Sequence, residues 1–176
     1  QKAAGPAVKL TIYAGMADGE PLLVKKMRAR QINAAVLTAV GLSEIDRSVS
    51  SLQMMPMMFR DWNEVDYVRE KIRPELESRL RAKGFEVLFW ADAGWVRYFS
   101  KEPGAHPDDY RKMKLFVLAG VPRQMEIMRD LGYQPVSLET EQILPSLTTG
   151  MISVVPVPPF LANALQFNRQ AKYMLD

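Results

Sequence analysis

Polar and apolar residues alternate over residues 8–13 in the order Val-Lys-Leu-Thr-Ile-Tyr, the period of a strand with one buried face. Residues 15–19 read as a loop, and Pro21 suits the first turn of a helix, where its missing N–H is not needed. Leu23, Val24 and Met27 give that helix an apolar stripe. Residues 33–40 are small and apolar and predict a buried strand ended by Gly41, with Ser43 capping a short helix through Arg47. Asp61 and Glu64 form a capping box that opens a helix running to about Lys83. Its stripe is Val65, Val68, Ile72, Leu76 and Leu80, with Pro74 placed to bend or split it and Gly84 just past its end. Residues 85–90 and 95–100 read as two strands around a turn at Gly94.

The densest pattern is residues 109–160, which read strand, helix, strand, helix, strand. Met113 to Leu118 is a strand, and Gly120-Val121-Pro122 launches a helix carrying Met125, Ile127, Met128 and Leu131. A strand over residues 135–138 follows, then a helix capped by Thr140 with Ile143, Leu144 and Leu147 inward and Gly150 as terminator. Residues 151–160 form an almost wholly apolar strand, and residues 160–173 a final helix with Leu161, Leu165 and Phe167 or Asn168 inward. Alternating strands and helices predict an α/β fold, a mostly parallel sheet with helices on both faces. Units of this kind bind ligands at their strand ends.

With 176 residues, 48% of them hydrophobic, the chain can bury a sizeable core. No apolar run reaches the roughly 20 residues that span a bilayer, and no signal-peptide pattern opens the sequence. The net charge of +3 comes from Lys and Arg interspersed with Asp and Glu. That is not the unmixed basic stripe of a nucleic-acid groove, so no nucleic-acid partner is expected. The absence of cysteine excludes disulfides and thiolate chemistry.

Catalytic constellations are not recognisable. His106 is the only histidine and sits in a Gly-Ala-His-Pro-Asp-Asp loop without a nucleophile at a recognisable spacing. Asp108 and Asp109 read as caps for the turn before Arg111 rather than as metal ligands. Gly15-Met-Ala-Asp-Gly19 matches neither dinucleotide-binding nor phosphate-loop glycine patterns. No metal, no cofactor and no enzymatic activity are expected. Two apolar features stand out instead. Met54, Met55, Met57 and Met58 surround Pro56, as core filler or as an adaptable wall for an apolar ligand. Phe89, Trp90, Trp95, Tyr98 and Phe99 cluster around Gly94, with Trp95 and Arg97 on one strand face and Tyr98 on the other.

Several segments together resemble the substrate-binding proteins of tripartite ATP-independent periplasmic (TRAP) transporters, the family-7 extracellular solute-binding proteins. They are Glu20-Pro21 with Val24 to Arg28, Gln31-Ile32-Asn33-Ala34-Ala35, and Phe85 to Trp90 followed by Gly94 and Arg97. Pro107 to Leu115, Leu131 to Val136, and Leu147-Thr148-Thr149-Gly150 continue the likeness in order and spacing across most of the chain. The resemblance implies a bilobal, periplasmic-binding-protein-like (type II) α/β fold with mixed, mostly parallel sheets. It divides the chain into a first lobe over 1–92 lacking its first strand, a second lobe over 93–170, and the start of a crossover over 171–176. It also implies that the chain is incomplete relative to the family, and the exposed edges of such a piece favour self-association.

By the same resemblance the protein is periplasmic, binds a small organic ligand without catalysis and passes it to membrane permease subunits. Phe116 stands where organic-acid-binding relatives carry an Arg, and Ser153 and Val157 where they carry Asp and Asn. A buried carboxylate without its partner costs about 3–5 kcal/mol. These departures predict a hydrophobic or amphipathic ligand, oriented by Arg97 and walled by Trp95, Trp90, Phe116, Ser153, Val157, Phe160 and Met57. The alternatives are a conventional organic-acid-binding TRAP protein and a ligand-sensing module of the same fold.

Overall fold

The computed structural model describes residues 11–12, 19–51 and 58–175, so most of the predicted strand over residues 8–13 and three of the four clustered methionines lie outside the described residues. Helix α1 (Gly19–Arg28) has Pro21 in its first turn, Glu20 at its positive end and Lys25, Lys26 and Arg28 at its negative end, all complementing its dipole. It buries Val24.

The expected buried strand over residues 33–40 is not seen among the described residues. Residues 34–38 pair with none of the described strands, Val36 is 80% exposed, and α2 (Ala39–Ser43) starts where the strand was expected to end. The cause is Glu20. Its carboxylate accepts from the backbone N–H of Thr38 (3.0 Å) and of Gly41 (2.7 Å) and from the Thr38 hydroxyl (2.8 Å). The Thr38 side chain in turn caps α2 by accepting from Val40 N. The Thr38 N–H, the one of these backbone donors inside the expected strand, is thereby committed to Glu20. Asp46, not Ser43, caps the 3-10 turn Arg47–Ser50.

Helix α3 (Trp62–Ala82) runs unbroken through Pro74. Residue 74 is on the exposed face, where water can satisfy the carbonyl that the missing N–H leaves. Asp61 caps the helix by accepting from Glu64 N, while the Glu64 carboxylate accepts from Arg60 N, one residue before the cap. Of the expected stripe only Leu80 is fully buried, in a cluster with Val24 and Ile45. Phe85, Val87 and Trp90 pack on that cluster, but residues 85–90 are not a strand. Their side chains find a core and their backbone finds no ladder among the described residues, leaving Leu88 and Phe89 exposed.

The remaining residues build a mixed sheet. Its strands are β1 (Arg97–Ser100), β2 (Lys114–Leu118), β3 (Gln134–Leu138), β4 (Val154–Val157) and β5 (Tyr173–Leu175), in the spatial order β3-β2-β4-β1-β5. Strand β2 is parallel to β3 and to β4, whereas β1 is antiparallel to β4 and β5. The connecting helices are α4 (Pro107–Arg111), α5 (Pro122–Asp130), α6 (Ile143–Thr149) and α7 (Pro159–Ala164). One face carries α6 and α7 over Phe99, Phe116, Val155 and Val157, with Phe167 sealing the cluster. The other packs Tyr110 of α4 and Met128 of α5 on Leu115 and Val154. Both faces are therefore covered, which is why Leu115 to Leu118 of β2 reads as an unbroken apolar run.

Details at the helix ends differ from the sequence reading. Thr140 does not cap α6. Glu139 starts a 3-10 turn, Thr140–Gln142, donating its N–H to the Gln142 side chain (2.9 Å), and α6 follows. Leu144 is exposed while Ile143 and Leu147 are buried. Of the α5 stripe, Ile127 and Leu131 are exposed. Asp109 accepts from the backbone N–H of Ala105 and His106, as a cap of α4. The helix expected over residues 160–173 stops early. Gln166 at φ 58 ends α7, a 3-10 turn Phe167–Arg169 follows, and Tyr173–Leu175 pairs with β1 as an edge strand. Its inner residues are Ala162 and Phe167, and Leu165 is exposed.

Candidate functional site

Chain order places the site. From β2 the chain passes through α5 to β3 on one side, then through α6 to β4 on the other side of β2. The carboxyl ends of β2 and β4 therefore flank a switch point, where open α/β sheets bind ligands. Leu118-Ala119-Gly120 ends β2, Glu139 follows β3, and Pro158 follows β4. Because β1 is antiparallel to β4, its first residue, Arg97, lies opposite Val157 at this same edge. Arg97 is half-buried. A Cβ on Gly94, just before it, would lie 3.5 Å from Pro158.

Across from this edge stand the first turns of α1 and α2. A Cβ on Gly120 would lie 3.4 Å from both Pro21 and Val40, and one on Gly19 would lie 2.9 Å from a Glu139 carboxylate oxygen. Gly120, Val121 and Pro122 also line a hollow of about 310 Å³ with Met125, Glu126 and Arg129. Sequence reasoning missed Glu20, Thr38, Gly120 and Glu139. Glu20 and Gly120 were noted there only within a family-like segment and as a helix start, and Gly120 and Glu139 come one or two residues after predicted strands.

The residues singled out from the sequence scatter. Phe116 and Val157 are brought together, but inside the core, 7% and 5% exposed. Ser153 is at the opposite end of β4 from Val157, where its hydroxyl accepts from Lys114 N (3.1 Å). Trp90 belongs to the Val24–Ile45–Leu80 cluster, and its indole N–H donates to Glu77 (2.9 Å). Trp95 packs against Trp62, ring centroids 5.1 Å apart. Phe160 is 74% exposed on α7. Met57 lies outside the described residues.

The titratable groups with displaced proton affinities do not gather at this edge. Asp46 is held far below the carboxylate range by hydrogen bonds from Ser48 and by Lys83. Asp109 is lowered by the backbone N–H groups of His106 and Ala105. Burial raises Tyr98 and Tyr110 on the α4/α5 face. Among the described residues no acidic or histidine cluster could hold a metal ion, and no helix is long and apolar enough to cross a membrane. Among the described residues the edge brings together the Arg97 guanidinium, the backbone groups of the strand-end turns and the Glu139 carboxylate, with Glu126 and Arg129 at the hollow beside it.

The sequence profile of the bacterial extracellular solute-binding proteins, family 7, matches residues 5–176. Among solved structures, a TRAP periplasmic solute-binding protein from Sulfitobacter sp. NAS-14.1 with bound β-D-galacturonate is similar at a TM-score of 0.86 and 18% identity, covering 98% of this chain and 58% of that one. One from Ralstonia eutropha H16 with bound (S)-2-acetolactate is similar at 0.86 and 19%, covering 97% and 55%. One from Pseudomonas putida F1 with bound D-glucuronate is similar at 0.81 and 20%, covering 98% and 57%. This chain thus spans little more than half the length of these structures, and at such identities the likeness establishes the fold. Among curated proteins, none matches the chain.

Proposed function

We propose that this chain, which belongs to the bacterial extracellular solute-binding proteins of family 7, takes a small organic acid at the strand-end edge of its sheet and delivers it, in the periplasm, to the permease of a TRAP-type uptake system. The family is one of binding proteins, not of enzymes. The observation that carries the ligand class is the position of Arg97, half-buried opposite Val157 beside the switch point between β2 and β4. A planar guanidinium there suits a carboxylate, which it can bind through two parallel N–H donors. The similar solved structures hold sugar acids and a keto acid, which supports the same class.

An apolar solute has less support. That reading counted Phe116 and Val157 among its cleft walls, and both side chains are spent on the core. Phe116 still stands where organic-acid-binding relatives carry an Arg, so the charge recognition is assigned to Arg97.

Isothermal titration with D-glucuronate and with 1-octanol tests this. The expected outcome is saturable binding of the acid only, weakened roughly 100-fold in Arg97→Ala, the worth of about 3 kcal/mol for a hydrogen bond to a charged group. Binding of octanol, or acid binding untouched by the substitution, would overturn the proposal.

A further inference from the structure

We propose that Glu139 reads the far end of the bound acid and makes the site select monoanions with a hydroxylated far end over dianions of the same skeleton. Strand register places the two charges. Arg97 lies opposite Val157, Leu115 opposite Val154 and Leu118 opposite Leu138, so Arg97, Val157, Leu118 and Leu138 form one row across the sheet. Glu139 follows Leu138 directly. Three strand spacings of about 4.8 Å put the start of β1 roughly 14 Å from the end of β3. The proposal rests on the reading that Arg97 takes the carboxylate of the solute. The switch point between β2 and β4 lies on the β3 side of Arg97, so the rest of the solute extends along the row toward Glu139.

Glu139 is half-buried, and among the described residues no Lys or Arg pairs with it. Its carboxylate lies so close to Gly19 that a Cβ there would meet an oxygen at 2.9 Å, which sets it between the end of β3 and the first turn of α1. The neighbouring Glu20 differs, because donors from Thr38 and Gly41 already meet its charge. Of the other charges near this end, Glu126 pairs with Arg123 (3.2 Å), and Arg129 lines the hollow beside β3 with Ser137. A second carboxylate on the solute would approach Glu139 in a half-buried crevice, where like charges repel far more than in bulk water. A hydroxyl in the same place donates to the carboxylate instead.

D-Gluconate and D-glucarate differ only at the last carbon, which is a hydroxymethyl group in one and a carboxylate in the other. Isothermal titration is expected to show gluconate bound roughly tenfold more tightly or better, a gap that narrows as salt is raised. Glu139→Gln is expected to shrink the gap to about threefold or less, and Glu139→Asp, which keeps the charge, to preserve it. Glu139→Ser takes the place of Glu139→Gln should that variant not fold. Equal affinities in the native chain, or a gap unchanged by loss of the charge, would overturn the proposal. So would a preference for glucarate that Arg129→Ala abolishes, which would give the far end to that guanidinium. Gluconate binding without the gap sinks this proposal alone, whereas binding of neither acid sinks the organic-acid reading and this one with it.

Discussion

Strand β2 and helix α3 both began as apolar patterns of the expected period, and they ended in different surroundings. In β2, Leu115, Phe116 and Val117 are each 7% exposed or less, because α6 and α7 cover one face and α4 and α5 the other. In the 21 residues of α3 only Leu80 is fully buried. The helix holds through local devices instead. Asp61 caps it, and ion pairs at three- and four-residue spacing, such as Arg73 to Glu70 (2.8 Å) and Arg79 to Glu75 (2.5 Å), line its exposed side. A pattern of the right period is enough to place an element. Whether it becomes core depends on a second layer arriving from elsewhere in the chain.

The sharpest way to break this contrast is to remove one buried side chain from each region. Phe167→Ala leaves a hole sealed by α6, α7 and the sheet and is expected to cost about 3–5 kcal/mol. Leu80→Ala is expected nearer 2 kcal/mol, because the half-exposed Leu37, Phe85 and Val87 around it can close in. Urea unfolding gives the two values, and amide exchange shows which region opens first. Equal costs would mean that the Val24–Ile45–Leu80 cluster is as tightly enclosed as the sheet core, and the contrast would fail.

The same contrast explains what the sequence made legible. Strands β2 and β3, helices α1, α3 and α5, and the Asp61 cap rest on residues within a few positions of one another, and all were read correctly to within two residues or so. The strand expected at residues 33–40 has no ladder among the described residues, and its end is held by a partner 18 residues away, Glu20 reaching Thr38. Helix α7 ended early at Gln166, a residue with no breaker signal, where the chain adopts φ 58. At the candidate site, Arg97 was singled out from its motif and lies at the strand-end edge. Phe116 could be recognised as standing where relatives carry Arg, but its burial is decided by Ile143 and Leu147 of α6, which no local pattern around residue 116 reveals. Glu139 and Gly120 needed the strand order, because only the crossover of β4 to the far side of β2 makes their edge a crevice.

A smaller effect tests whether α1 is held by local devices in the way α3 is. Arg30 ends α1 at φ 59, with its N–H donating to Met27 O and that of Gln31 to Lys26 O (both 2.9 Å). This left-handed helix end is one that glycine adopts without strain. Arg30→Gly is therefore expected to stabilise by about 0.5–1 kcal/mol, read as a higher urea midpoint with an unchanged slope. A lower midpoint would show that the Arg30 side chain contributes more than its backbone strain costs.

The smallest expected effect measures how dry the α4/α5 face is, the counterpart of the wet flank of α3. Tyr98 packs edge-on against Tyr110, ring centroids 5.4 Å apart, and its proton affinity is raised by burial first and by Tyr133 and Tyr110 after that. Tyr110 is raised mainly by burial as well, and its hydroxyl donates to Gly104 O (2.9 Å). A phenol whose folded pKa exceeds its unfolded value of about 10 contributes stability that is fully present below that pH. That contribution is lost as pH rises through the folded value. Ultraviolet titration of the six tyrosines is accordingly expected to show two late phenolates, and Tyr98→Phe to leave one. The variant's alkaline unfolding midpoint should move upward, since one buried group no longer has to ionise. Two late phenolates remaining in Tyr98→Phe would place the dry site elsewhere and leave the α4/α5 face no better covered than the stripe of α3.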